Sequence, residues 1–383
     1  MIKLNKLRLY YIGFFFLALK FFVDSSYLFS FVPDMVGNLI GFISLFFFII
    51  SFFTNLKIEL VNIFKLVLIF ALVLVSTFLV KEYILIISLI SAITIPKNQN
   101  DKVFKNIYLI NLVMFLFVVF GSLALLVVNR TGLVYSDSHL VFKYGFGHQN
   151  EFSGYLIWLV LLRIYNKKRI TLTEGILYLI IAAFAYITTR SDIIILCTVV
   201  ATILFIFVKY WRGTFKAYRF LASISFALIG LFVLVAMKSI YSRDGFSNFF
   251  LSIDSYLSGR MRIGARILAD NHSISLIGQY IKRGIVDWDS YYGLNSVTVD
   301  GLYICLFLQY GVIWFIIFSL LFYKTCKSSS NFEIVFLILY AVYGLAEVHC
   351  MNTGFAFPLL LILNTLMSSK QYVFKKRLSY ARA

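Results

Sequence analysis

The sequence predicts an all-α, polytopic integral membrane protein: a helical bundle of about twelve transmembrane helices with one large external loop. Three observations lead there. Of 383 residues, 61% are hydrophobic and 14% charged, against roughly 25% charged in soluble globular chains. Such a chain has too little polar surface to cover its exterior in water, so its solvent must be lipid. The apolar residues also gather in runs near the bilayer-crossing length of about 17–25 residues. Finally, a single long polar stretch, 239–299, interrupts the apolar C-terminal half.

The first run, 7–23, starts basic, as a signal peptide does. It lacks a small-x-small cleavage site and carries Lys20, which predicts a retained span. Further runs lie at 35–54, 60–80, 82–95, 103–128, 148–165, 173–189, 191–208, 218–238, 299–323, 332–349 and 354–368. The fourth is short and the last two are separated only by residues 348–353, so the count is good to one or two. Twelve spans place both termini on one side. No internal repeat or low-complexity linker divides the chain. We therefore read 1–383 as a single integral membrane domain and 239–298 as a large extracytoplasmic loop within it.

A formal charge of +18 raises the question of nucleic acid, but the charge is dispersed among short loops, where Lys and Arg set membrane orientation. With the N-terminus inside, 22 of the 35 basic residues lie on inner segments, 11 lie outside, and Lys20 and Lys65 fall within spans. Both termini are then cytoplasmic and the long polar stretch faces outward. Cys197, Cys305, Cys326 and Cys350 fall in or beside apolar runs without paired or metal-like spacing. They read as small core residues.

Candidate chemistry gathers at the outward side. Arg190, in Thr188-Thr-Arg-Ser-Asp192, sits in a tight hairpin between two runs. It reads either as a snorkelling side chain paired with Asp192 or as a planar fork for phosphate oxygens. Residues 257–270 read as a helix with Leu257, Met261, Gly264 and Leu268 on one face and Arg262, Arg266 and Asp270 stacked on another. Such a piece commonly lies on a membrane surface among anionic headgroups. Arg260 falls off that stripe and follows Gly259, which points to a specific anion contact with Arg266 in support. Asp300 stands where the polar stretch enters the tenth run. A carboxylate near an interface is either paired or functional, and it equally suits a helix cap. Glu347 with His349, and His148 with Asn150, are polar pairs at other outer edges, each with an equally plain structural reading.

No H-E-x-x-H, exposed D-x-D or glycine-rich cradle ahead of a lysine is present, which leaves metal-assisted hydrolysis and nucleotide use without support. The chain resembles the Wzy-type bacterial polysaccharide polymerases, relatives of the O-antigen ligases. The likeness extends over the whole architecture. It is carried locally by Tyr144-Gly-Phe-Gly-His-Gln-Asn150, Thr189-Arg190-Ser191, Ser258-Gly-Arg260, Leu276-Ile-Gly-Gln279 and Asp300-Gly-Leu-Tyr303. Gln149 stands where that family commonly has proline, and Gly301 where it has asparagine; the ligases carry histidine at the place of Asp300. The resemblance implies a glycosyl transfer at the outer face of the bacterial cytoplasmic membrane. A glycan on undecaprenyl pyrophosphate would pass to a lipid-linked repeat unit, building capsule, exopolysaccharide or O-antigen. It implies Asp300 as base and Arg190 with Arg260 as pyrophosphate clamp, supported by Arg266. His148, Asn150, Gln279 and Glu347 would orient sugar or acceptor. It implies no metal or other cofactor. Its partners would be the lipid-linked oligosaccharide, the bilayer, a chain-length regulator and a flippase. A flippase of lipid-linked oligosaccharide and a ligase-type transferase are the alternatives to this reading.

Overall fold

The computed structural model describes residues 6–26, 29, 31–54, 60–95, 100–129, 133–136, 139–210, 215–257, 259–270, 273–282, 284–289, 294–297 and 299–366. Ser258 of the Ser258-Gly-Arg260 stretch lies outside them, as do several of the basic residues counted for orientation, among them Arg130, Arg212, Arg283 and those at 370–382.

The fold is predominantly helical. In chain order the helices are α1 (Lys6–Ser25), α2 (Asp34–Thr54), α3 (Leu60–Val80), α4 (Ile84–Ile93), α5 (Asn100–Asn129), α6 (Gln149–Lys167), α7 (Leu172–Thr189), α8 (Asp192–Tyr210), α9 (Lys216–Ser242), α10 (Ser247–Ser255), α11 (Arg260–Ala269), α12 (Leu302–Ile304), α13 (Val312–Ser328), α14 (Asn331–Tyr343) and α15 (Phe357–Asn364). A π-helical stretch, Cys305–Tyr310, joins α12 to α13, and a 3-10 turn, Val348–Met351, follows α14. Two antiparallel hairpins interrupt the helices: β1 (Leu133–Ser136) with β2 (His139–Phe142), and β3 (Gly284–Asp289) with β4 (Leu294–Val297).

Five helices among the described residues are long and apolar enough to cross a bilayer, within α2, α5, α7, α8 and α9. Their outward faces show why lipid is the solvent. On α7, Ile176, Ile180, Phe184 and Ile187 are exposed at three- and four-residue spacing, while Tyr178, Ala182 and Ala185 are buried. On α8 the exposed series is Ile195, Val199, Ile203 and Ile206. Burial of one such side chain is worth about 1.5–3 kcal/mol in water, so stripes of this length left in solvent would outweigh the few kcal/mol that hold a domain together. A hydrocarbon surround removes that cost. These features mark a membrane protein.

Packing separates the chain into two compact units. The first comprises 1–57, 87–209 and 352–360. In it α1 and α2 approach closely because Gly13 lacks a side chain: a Cβ there would meet Phe48 at 2.9 Å. Ser44 Oγ donates to the Gly13 carbonyl at 2.8 Å. An aromatic cluster of Phe21, Phe22, Phe115, Phe146, Phe152, Tyr155 and Phe355 fills the interior beside α1, α5 and α6. The second unit comprises 58–86, 210–351 and 361–383. Its core centres on Phe226 of α9, against Tyr303 at 5.0 Å and Phe322 at 5.3 Å between ring centroids. Gly230 leaves room for the rings of Phe315 and Tyr303.

The polar stretch 239–298 is more ordered than a loop. It carries the end of α9, all of α10 and α11, an extended segment at 273–282 and the hairpin β3–β4. The extended segment is stitched along the π-helical stretch. The Ser275 amide donates to the Phe307 carbonyl at 3.2 Å, Gln279 N to Gln309 O at 2.9 Å, and Val312 N back to Ser275 O at 2.9 Å. A π-helix leaves carbonyls out of the usual ladder, and here the neighbouring backbone takes them up.

Candidate functional site

The site is built around the N-terminus of α11. Asp254, at the end of α10, is fully buried, and its carboxylate accepts from Met261 N at 2.6 Å, Arg262 N at 3.1 Å and Arg262 Nε at 3.0 Å. It therefore satisfies first-turn amides of α11 from six residues before that helix starts. Burial pushes the Asp254 carboxyl above its ordinary range, and the bonds from Met261 and Arg262 oppose that rise. Gly259 lies between them at φ +76°, a left-handed conformation that turns the chain sharply into α11. The helix thus starts at Arg260, three residues later than the periodicity predicts.

This turn drives Arg260 inward. Its side chain is 10% exposed. Nη1 donates to the Asp300 carboxylate, and Nη2 lies 3.5 Å from Glu347 Oε1. Nε is buried without a hydrogen-bond partner among the described residues. Asp300 remains partly open, its side chain 35% exposed, whereas that of Glu347 is 6% exposed. Their placement follows from backbone bonds: Leu302 N donates to Gly344 O at 2.9 Å, which lays 344–347 beside the entry to α12. Gly301, not Asp300, occupies the cap position of α12, and no side chain caps that short helix. The capping role considered for Asp300 is replaced by its bond to Arg260.

The other predicted residues of this unit are held elsewhere. Arg266 pairs with Asp270 through Nε at 3.1 Å. Gln279 Nε2 donates to Ser273 O at 2.6 Å and Leu308 O at 2.8 Å, so the side chain fastens the extended segment to the π-helical stretch. The proposed surface position of residues 257–270 also changes. Met261, Ile263, Ala265 and Ile267 of α11 are buried, and a Cβ on Gly264 would meet Met237 Sδ of α9 at 2.2 Å.

In the first unit, Arg190 closes α7 with φ +52°, its amide donating to Tyr186 O, and its guanidinium stands 5.9 Å from the Tyr186 ring centroid. It is exposed and forms no ion pair with Asp192. His148 caps α6: its Nδ1 accepts from Asn150 N at 3.2 Å, while Glu151 accepts from His148 N at 3.1 Å. The preceding stretch is fixed to the end of α1, with Ser26 Oγ donating to Gly145 O at 2.8 Å and Gly147 N to Ser25 O at 2.6 Å. Phe146 is fully buried there.

Asp254 escaped the sequence reading. The available signal was an acid ahead of a Ser-Gly turn and a helix-period run, which is a helix-start pattern with its cap displaced upstream. Among the described residues no three His, Cys, Asp or Glu side chains are grouped as a metal ion would require. Comparison with protein-family models, curated proteins and solved structures finds no match.

Proposed function

We propose that the chain is a glycan polymerase that moves a growing saccharide from a lipid pyrophosphate to a lipid-linked acceptor. The observation that carries this reading is the buried Arg260 bonded to a partly open Asp300 and a closed-off Glu347. In the reaction the acceptor hydroxyl oxygen forms a bond to the anomeric carbon while the bond from that carbon to the pyrophosphate oxygen breaks. The hydroxyl proton passes to Asp300. Protonated Asp300 no longer neutralises Arg260, just as the departing pyrophosphate gains negative charge. The guanidinium then exchanges one anion for the other, so stabilisation is strongest where charge develops. A phosphate oxygen would also give Arg260 Nε the acceptor it lacks among the described residues.

In this reading about twelve helices cross the bacterial cytoplasmic membrane, both termini are cytoplasmic, and 239–298 faces outward, supported by the distribution of Lys and Arg. The donor is undecaprenyl-pyrophosphate-linked oligosaccharide, as the Wzy resemblance implies. The test is reconstitution in vesicles with a lipid-linked repeat unit, comparing wild type with Asp300→Asn. A ladder of lengths from wild type and none from the variant is expected. An unchanged ladder from the variant overturns the assignment of the base. A single transfer, or translocation without new bonds, from wild type overturns the polymerase reading.

A further inference from the structure

We infer that α10 lies in the membrane–water interface and anchors the polar segment to the lipid headgroup region. The helix has three faces, which follow from roughly 100° per residue. Ser247, Phe250 and Asp254 form the buried face. Asn248, Ser252 and Ser255 form an exposed polar face. Between these two faces, Phe246 (70% exposed), Phe249 (60%) and Tyr256 (78%) line up with half-buried Ile253. A helix packed on protein needs one apolar face and a polar remainder. A second, aromatic face that the protein leaves uncovered fits a helix that meets lipid on one side and water on the other.

Continuity and charge settle the occupant as a bilayer. α9 exposes Leu228, Leu231 and Val235 and, near its end, Tyr241, and Phe246 is exposed just beyond it. α9 is one of the helices apolar and long enough to cross a membrane. At the same end, exposed Lys238 and Arg243 bring positive charge, which suits anionic headgroups. The acid nearest them in sequence, Asp244, is engaged locally, accepting from Ser239 Oγ, Ser242 Oγ and the Phe246 amide. α11 does not fill this role, since its Met261, Ile263, Ala265 and Ile267 are already buried.

The test uses the full-length protein in phosphatidylcholine–phosphatidylglycerol vesicles. The four native cysteines are buried, so a thiol-reactive fluorophore can be directed to Phe249→Cys or, separately, Ser252→Cys. Both positions are exposed, and neither change removes core packing. The probe at 249 should emit to the blue and be quenched by lipid bearing a nitroxide just below the headgroup. The probe at 252 should be quenched by aqueous iodide instead. Iodide quenching at both positions without nitroxide quenching overturns the inference. So does protection of position 249 from both quenchers, which would mean a protein partner or second copy covers the face.

Discussion

Arg260 Nη2 stands 3.5 Å from Glu347 while Nη1 bonds to Asp300, so one guanidinium joins side chains 87 and 40 positions away. The three groups enter on separate pieces of backbone: the first turn of α11, the approach to α12 and the turn after α14. The two carboxylates are unequally exposed, which divides their duties. Glu347 meets the arginine from the buried side, and in the proposed reaction the more open Asp300 is the one that would meet the acceptor.

Removing the arginine should therefore harm the fold as well as the reaction. Arg260→Ala removes the guanidinium that buried Glu347 faces at 3.5 Å, a loss of about 3–5 kcal/mol by the behaviour of broken buried pairs. Thermal unfolding in detergent measures it. The double variant Arg260→Ala, Glu347→Gln should be more stable than Arg260→Ala alone, because the buried charge that the guanidinium balanced is gone.

Asp300→Asn should separate chemistry from stability. The side chain is partly exposed, so its unfolding midpoint should stay near wild type while polymerisation slows about 10²–10⁴-fold, the range for a lost general base. A matched fall in midpoint and rate would assign Asp300 a structural role instead.

Asp254 is the support beneath the site. Asp254→Ala would strand the Met261 and Arg262 amides, at about 1–3 kcal/mol for each buried group left unsatisfied. Its pH dependence has a definite sign. Burial raises the folded carboxyl above its ordinary value of 3.8. Stability from this group is thus fully present below that value and is lost as pH rises through the folded pKa. Asp244 behaves oppositely. The Ser239 hydroxyl lowers its pKa, assisted by the Phe246 amide and Ser242, so its stability is present above 3.8 and lost as pH falls through the depressed value. Unfolding midpoints across the acid range should shift in opposite senses for Asp254→Asn and Asp244→Asn relative to wild type.

Gly311 should tolerate no side chain. Its φ is +100°, and a Cβ would lie 2.5 Å from the Leu276 carbonyl oxygen. The backbone conformation alone costs an L-residue about 1–3 kcal/mol. Gly311→Ala should lower the unfolding midpoint more than Gly175→Ala, since a Cβ at Gly175 meets open space.

The helical segments were largely legible, and particular residues show why. Runs such as 35–54 and 60–80 coincide with α2 and α3 almost to the residue, because a helix in lipid must satisfy its backbone internally over an apolar length. The run at 299–323 gave no sign of its π-helical break, since Cys305–Tyr310 is as apolar as its flanks. The bond pattern there comes from a neighbouring segment remote in sequence. At the site, Arg260, Asp300 and Glu347 were each legible as costly polar groups near apolar runs. Their union was not, because nothing in local spacing links positions so far apart. Gln279 looked like a ligand group and proved to be a clasp, for the carbonyls it reaches are invisible until the segments meet.

The seam between 275–279 and 307–313 is made chiefly by peptide groups. Peptide groups are the same whatever side chains they carry, so exposed positions on that seam, such as Leu276, are free to drift over generations while the geometry persists. The permitted substitutions there are bounded instead by Gly278, Gln279 and Gly311, where shape or an amide side chain enters the joint. A library randomised across the seam should retain those three, keep apolar residues at the buried Phe307, Leu308 and Tyr310, and scatter at exposed positions such as Leu276.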